Sequence, residues 1–237
     1  MSATLTVLGS NSSGNGYILQ AEKESLILEA GVPVKEALKA LDYDIKNVVG
    51  VVASHEHGDH LGYCQQYQRY FKVSSTPSAA DKHFGVMPLR NLARYIFGRF
   101  TVTPLIVPHS CDCFAYHISH PDMGTLVFYT DCSDFPYKIP HVNFILGEVN
   151  NSDNVILDNL CNGYELRSQY NNHMSLDTAV GVIRRLYSPE LSKVICCHLS
   201  NSNADESEIK RRFKSELGID VEIAEGGKIF PLKSCEF

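Results

Sequence analysis

The run Ser54-His55-Glu56-His57-Gly58-Asp59-His60 puts four groups able to bind a metal within six residues. Imidazoles and a carboxylate together suit Zn, Mn or Fe better than Ca or Mg. His55 and His57 alternate, so both can face one ion. Asp59 and His60, beyond a glycine that lets the chain turn, can face a second. Two ions need more donors than this run supplies. Three later segments each deliver one: Val107-Pro108-His109-Ser110, Phe128-Tyr129-Thr130-Asp131 and Ile195-Cys196-Cys197-His198-Leu199-Ser200. The donor in each follows an apolar run, which brings it out at a sheet edge and not in the core.

Such donors need strands behind them. Val48 to Ala53 is continuously apolar, the pattern of a strand covered on both faces, and it ends at the donor run. Short β-rich runs at Thr4–Leu8, Tyr17–Gln20 and Leu26–Leu28 form an opening meander. Further strands are expected at Thr101–Thr103, Cys113–Ile118, Thr125–Tyr129, Phe144–Leu146, Lys193–Cys197, Val221–Ala224 and Lys228–Leu232. Apolar spacing predicts helices at Val34–Leu41, Ala79–Phe84, Asp177–Leu186 and Asp205–Leu217. The Gly9–Gly16 stretch lacks the lysine of a phosphate-binding P-loop and is expected to be a β-turn. Strands with interspersed helices in two similar halves imply a layered α/β fold in which helices cover stacked sheets.

Composition sets the outer bounds. The 237 residues are 44% hydrophobic and 20% charged, ordinary for a globular chain. No boundary, repeat or low-complexity run divides them, so 1–237 is expected to be a single domain. Lys plus Arg number 21 and Asp plus Glu 27, a net charge of −6, which argues against a strongly cationic nucleic-acid coat. Arg90, Arg94 and Arg99, with no acid between Met87 and Arg99, are the candidate strip for nucleic acid. No apolar run approaches the ~20 residues of a membrane span. The opening Met1-Ser2-Ala3-Thr4-Leu5 carries no leader pattern, so the expected location is cytoplasmic. The eight cysteines contain no C-x-x-C pair and are expected to be reduced, mostly buried thiols.

The order H-x-H-x-D-H, a lone His, Thr-Asp after an apolar strand, then His-Leu-Ser, at separations of 49, 22 and 67 residues, resembles the metallo-β-lactamase fold superfamily. The resemblance implies a four-layer αββα sandwich with a dinuclear site at its edge. His55, His57 and His109 would bind one divalent ion (Zn, Mn or Fe). Asp59, His60 and His198 would bind the other, with Asp131 bridging. Leu26-Ile27-Leu28-Glu29-Ala30-Gly31 fits the following strand of the superfamily, which usually has Asp where this chain has Glu29. The opening Leu8-Gly9-Ser10-Asn11-Ser12-Ser13-Gly14-Asn15-Gly16-Tyr17-Ile18-Leu19 is similar to that of the WalJ/YycJ-like exonuclease branch. Ser10, Asn11, Ser12 and Asn150 are its candidate substrate-binding residues.

Gly147-Glu148-Val149-Asn150 and His173-Met174-Ser175 resemble segments shared by that branch and tRNA 3′-end processing endonucleases. The likeness makes His173 a candidate general acid or phosphate-binding group, Glu148 its orienting carboxylate and Asp59 the third catalytic candidate. The implied activity is metal-dependent hydrolysis of phosphodiesters, with hydroxide supplied from a bridging water and nucleic acid as the substrate partner. Hydrolysis of a small ester, thioester or lactone at the same site is the alternative, and a metal-binding scaffold without turnover is the alternative of another class. A flavodiiron-type redox role is disfavoured, because a Glu normally stands where this chain has His57.

Overall fold

The structure, a computed structural model, describes residues 3–152, 172–200 and 202–233. Strands β1 (Ala3–Asn11), β2 (Gly14–Ala21), β3 (Glu24–Leu28), β4 (Val48–Val52), β5 (Val73–Ser75), β6 (Met87–Pro88) and β14 (Ile229–Leu232) form one sheet, in the order β14-β1-β2-β3-β4-β5-β6. The second contains β7 (Tyr95–Phe97), β8 (Phe100–Val107), β9 (Cys113–His120), β10 (Gly124–Tyr129), β11 (Phe144–Glu148), β12 (Lys193–Cys197) and β13 (Val221–Ile223), in the order β13-β12-β11-β10-β9-β8-β7.

Strand periodicity sorts the apolar residues into layers. Successive side chains point to opposite faces, so Leu26 and Leu28 enter the central core while Ile27 between them joins the outer one. Leu126 and Phe128 likewise face the centre, and Val127 and Tyr129 face outward. The first outer core packs under α1 (Val34–Ala40), α2 (Gly58–Leu61), α3 (Cys64–Tyr67) and α4 (Pro77–Lys82), through residues such as Ala37, Leu61, Tyr67 and Ala79. The other packs under α5 (Leu176–Leu186) and α6 (Glu206–Leu217), through Leu176, Val180, Ile183, Ile209 and Phe213. The result is the four-layer αββα sandwich expected. Truncating a central residue such as Phe128 leaves a cavity that neighbours cannot fill, at about 3–5 kcal/mol.

Local chemistry sets the element ends. Ser175 accepts from Thr178 N at 3.2 Å to start α5. Asp205 accepts from Ser207 N and Glu208 N at 2.8 and 3.3 Å to start α6, which stops at the left-handed Gly218. The helix expected at Ala79–Phe84 begins earlier, because Thr76 caps Ala79 N and Pro77 occupies the first turn. Gly9–Gly16 is more than a turn: it is the distal part of a β1–β2 hairpin, paired through Asn11 and Gly14. The two-residue β6, the three-residue β7 and the four-residue α2 and α3 are too short to carry a periodic signal. Among the described residues no helix is long and apolar enough to cross a membrane.

Candidate metal centre

The donor residues emerge at the carboxyl ends of strands in both sheets. His55, His57, Asp59 and His60 follow β4, His109 follows β8, Asp131 follows β10 and His198 follows β12. Glu29, Asp131 and His198 have φ of 67°, 44° and 52°, values that cost energy in a residue with a side chain. Such strain collects at sites where surrounding structure holds a side chain in one direction.

Three nitrogens converge on one side. His55 Nε2 lies 2.9 Å from His57 Nδ1, which lies 3.3 Å from His109 Nε2. His109 Nδ1 donates to Asn172 O at 3.0 Å, so its Nε2 presents a lone pair inward. The outer nitrogen of His55 meets Ser54 Oγ at 2.8 Å. Two imidazoles on a tetrahedral ion with metal–nitrogen bonds of about 2.0–2.1 Å have donor atoms about 3.3 Å apart. The observed separations fit that spacing.

The second group is Asp59, His60, Asp131 and His198, whose donor atoms all lie within 4.8 Å of one another. Asp59 Oδ2 is 3.2 Å from His60 Nε2 and 3.4 Å from His198 Nε2. Asp131 divides its oxygens between the groups. Oδ1 is 3.1 Å from His60 Nε2 and 3.3 Å from His198 Nδ1, while Oδ2 is 3.8 and 3.9 Å from Nε2 of His55 and His109. The structure thus brings all seven residues of the expected ligand set together, with Asp131 between the two groups.

Burial and mutual charge govern their protonation. Burial opposes a charge on His60, but the Asp131 and Glu29 carboxylates outweigh it and hold its pKa well above the imidazole range. His198 is pushed up to about 10: burial again opposes, and Asp131, Asp59 and Glu148 prevail. Burial would raise the carboxyl of Asp131, yet His60 and His198 hold it well below the usual range. Bonds to His198 and His60 likewise overcome burial to depress Asp59. His55 is lowered by burial and by the neighbouring His60, and His109 is lowered by burial.

Buried polar groups fix the donors from behind. Glu29 accepts from Ser54 N at 3.1 and 3.2 Å and stands 3.5 Å from His60 Nδ1. Asn15 Nδ2 donates to Asp59 O at 3.2 Å and so holds the peptide of that residue. A side chain at Gly31 would drive its Cβ to 1.7 Å from Asp59 O, so only glycine lets the chain pass beneath Asp59. Sequence patterning did not single out Asn15; its one signal was its place inside the Gly9–Gly16 stretch.

His173 and Glu148 stand beside the second group. His173 Nδ1 donates to Glu148 Oε1 at 2.6 Å, and Glu148 Oε2 accepts from Cys132 N and Met174 N at 2.9 and 3.2 Å. Burial opposes charge on His173, and the Glu148 bond overrides it, so the pKa rises. Its ring stacks on His198, with centroids 5.3 Å apart. Together with Ser12, His57, Asp59, His109, Asp131, Asn150 and His198, His173 lines a cleft of about 210 Å³.

The other candidates lie differently. Ser10 is buried, and its hydroxyl accepts from His198 N at 3.0 Å, which makes it a support for that residue. Asn11 accepts from Ser13 N in the hairpin turn. Ser12 and Asn150 line the cleft, and Asn150 also donates to His198 O at 3.1 Å. Of the arginine strip, Arg99 is held by Asp122 at 3.0 Å. Cys64, Cys111, Cys113, Cys132, Cys196 and Cys197 are free thiols.

No curated protein matches the chain by sequence. Among solved structures, YhfI from Bacillus subtilis is similar at a TM-score of 0.77 and 18% identity, with 98% of this chain and 100% of that one covered. Zn(2+)-bound PqqB from Methylobacterium extorquens is similar at 0.75 and 11% identity, covering 96% and 99%. Human tRNase Z, short form, is similar at 0.66 and 12% identity, covering 97% and 99%. A family profile matches residues 10–141, and with it the chain belongs to the metallo-β-lactamase superfamily.

Proposed function

We propose that the protein is a dinuclear metal-dependent hydrolase that cleaves phosphodiester bonds in nucleic acid. The observation that carries this reading is the His173–Glu148 pair on the wall of the donor-lined cleft. His55, His57 and His109 would hold one divalent ion (Zn, Mn or Fe) and Asp59, His60 and His198 the other, with one Asp131 oxygen for each. When bound, such a pair supplies a water acidic enough to attack at neutral pH and neutralises charge on the phosphoryl oxygens.

The chain's own residues supply the rest. Glu148 takes the Nδ1 proton of His173 in a hydrogen bond, which fixes the ring and leaves Nε2 for the substrate. From there His173 protonates the departing sugar oxygen. That oxygen is a poor leaving group, and a placed general acid speeds its departure by about 10²–10⁴-fold. Ser12 and Asn150 stand where they can bond phosphate oxygens.

The Leu8–Leu19 opening and the His173-Met174-Ser175 segment support placement near the WalJ/YycJ-like exonuclease branch. The structural neighbour that is a tRNase supports nucleic acid as the substrate class. In this reading residues 1–237 act as one cytoplasmic domain whose thiols stay reduced. The cleft is small, about 210 Å³, which also favours a small ester, thioester or lactone as the second reading.

A His173→Ala variant decides between them. The expected result is a ~10²–10⁴-fold loss on labelled DNA or RNA, with metal content and bis-p-nitrophenyl phosphate hydrolysis nearly intact, since p-nitrophenolate leaves without a proton. Equal losses on both substrates would make His173 a phosphate-positioning group. No loss on either would remove the support for a nuclease.

A further inference from the structure

A nucleic acid strand carries a charge on every nucleotide, and the cleft can answer few of them. Its volume of about 210 Å³ is below the ~300–1,000 Å³ of most ligand pockets, and no lysine or arginine is among its described lining residues. The strand on either side of the cut bond therefore crosses the rim, where its phosphates need protein cations in place of their counterions. Lys82 is exposed near the donor run, but it is paired with Glu56.

The sequence gathers its other candidates in one stretch. No Asp or Glu lies between Asp81 and Asp112, in a chain of net charge −6, and Arg90, Arg94 and Arg99 stand in that interval. The fold separates the three. Arg99 is bound to Asp122, which precedes β10 and so lies at the end of that strand opposite Asp131. Arg94 reaches Thr101 Oγ1 at 3.4 Å, near the start of β8. Arg90 is exposed and has no carboxylate partner among the described residues.

Two separate registers carry Arg90 to the donor end. Strands β4, β5 and β6 run parallel, and Leu89 N donates to Ser75 O just past β6. Arg90 thus emerges at the carboxyl end of β6, as the His55–His60 run does at that of β4, two strand spacings or about 10 Å away. The turn at residues 90–92 then lies against the end of β8. Ile106 N donates to Asn91 Oδ1 at 2.9 Å, and Leu92 N donates to Pro104 O at 2.8 Å. Ile106 precedes His109 by three residues, about 10 Å of extended chain. Arg90 N donates to Tyr95 Oη at 2.9 Å, so the turn is pinned to both neighbouring strands. Those bonds hold Leu92 at a φ of 62°, a costly value for a leucine.

We propose that Arg90 binds a phosphate of the nucleic acid strand where it leaves the cleft. The inference rests on the nuclease reading above. At 3.4 Å or more of rise per nucleotide, a 10 Å offset places that phosphate within about three nucleotides of the cut bond. A guanidinium suits the task, because its planar fork bonds two phosphate oxygens at once. Arg99, spent on Asp122 at the opposite end of the sheet, takes no part.

Substrate length tests this on the manganese-loaded protein. Arg90→Ala should raise KM for a twenty-nucleotide single strand by roughly 3- to 10-fold and lower the slope of log kcat/KM against log salt by about 0.7. Its kcat, and its turnover of a dinucleotide and of bis-p-nitrophenyl phosphate, should not change. Arg90→Lys, which keeps the charge, should keep the salt slope, and Arg99→Ala should match the wild type on the long strand. An unchanged KM and salt slope on a long strand that is cut, or an equal loss on the dinucleotide, would overturn the inference and leave the nuclease reading standing. So would a dimer in light scattering that Arg90→Ala dissociates with KM intact, which would assign the turn to a contact between copies. Hydrolysis of bis-p-nitrophenyl phosphate with no cleavage of any strand by the wild type would overturn both.

Discussion

The two ends of the sandwich each bury a histidine among carboxylates, and they do so to opposite effect. At the far end, His120 donates from Nε2 to Glu24 at 2.9 Å, and its Nδ1 accepts from Asp122 N at 3.1 Å. Glu24 also accepts from Arg99 N, and Arg99 holds Asp122. Every group there has a partner of opposite character, and the cluster ties β3 of one sheet to β8 and β9 of the other. At the donor end, imidazole nitrogens face other imidazole nitrogens, and two carboxylates converge on the same space. Among the described residues that line the cleft there is no lysine or arginine. The far end is a closed bonding network. The donor end is a group able to hold a cation. Cavity size alone would mislead, since a larger depression, about 490 Å³, lies at the far end beside Glu24 with no histidine or cysteine in its lining.

Substitutions at the two ends should therefore fail differently. The largest effect is expected for Asp59→Ala, which should lose nearly all hydrolysis and the second metal while its circular dichroism stays native. Asp59 belongs to the donor group and to no apolar layer. Unchanged turnover would take Asp59 out of the site and blur the contrast between the ends.

His120→Ala should do the reverse. Metal content should not change, while denaturant unfolding should show a loss of about 1–3 kcal/mol, the cost of leaving a buried partner unsatisfied. A loss of bound metal in that variant would break the comparison.

The smallest effect concerns protons. His60 and His198 have raised pKa values in the metal-free protein, so their stabilising contribution is present below the ordinary imidazole value, and that of His198 is lost as pH rises through about 10. Asp59 and Asp131 are depressed, so theirs is present above the usual carboxylate value of about 3.9 and lost as pH falls below it. Near neutral pH the metal-free group is thus protonated on imidazole, and metal uptake must expel protons. Calorimetry of zinc uptake in buffers of different ionisation enthalpy should show net proton release, and no release would contradict the assigned charge states.

The layers and the donors were legible in the sequence for one shared reason. Alternating or continuous apolar runs such as Val48–Ala53 and Thr125–Tyr129 mark strands, and a polar donor just past such a run must emerge at a strand end. What the sequence did not disclose depended on contacts between distant segments. Asn15 acts through the peptide of Asp59, 44 residues on. Gly31 matters because Asp59 O passes over it. That Ser10 supports the backbone of His198, 188 residues on, has no local signal either. His173 and Glu148 were legible only through resemblance, since a histidine ahead of a helix has a plain capping role available.

The central claim, that these seven residues hold two ions, is tested most directly by anomalous diffraction from crystals of the zinc-loaded protein. The account predicts two peaks in the cleft, one bonded by His55, His57 and His109 and the other by Asp59, His60 and His198, with an Asp131 oxygen directed at each. One peak, or peaks bonded by other residues, would contradict it.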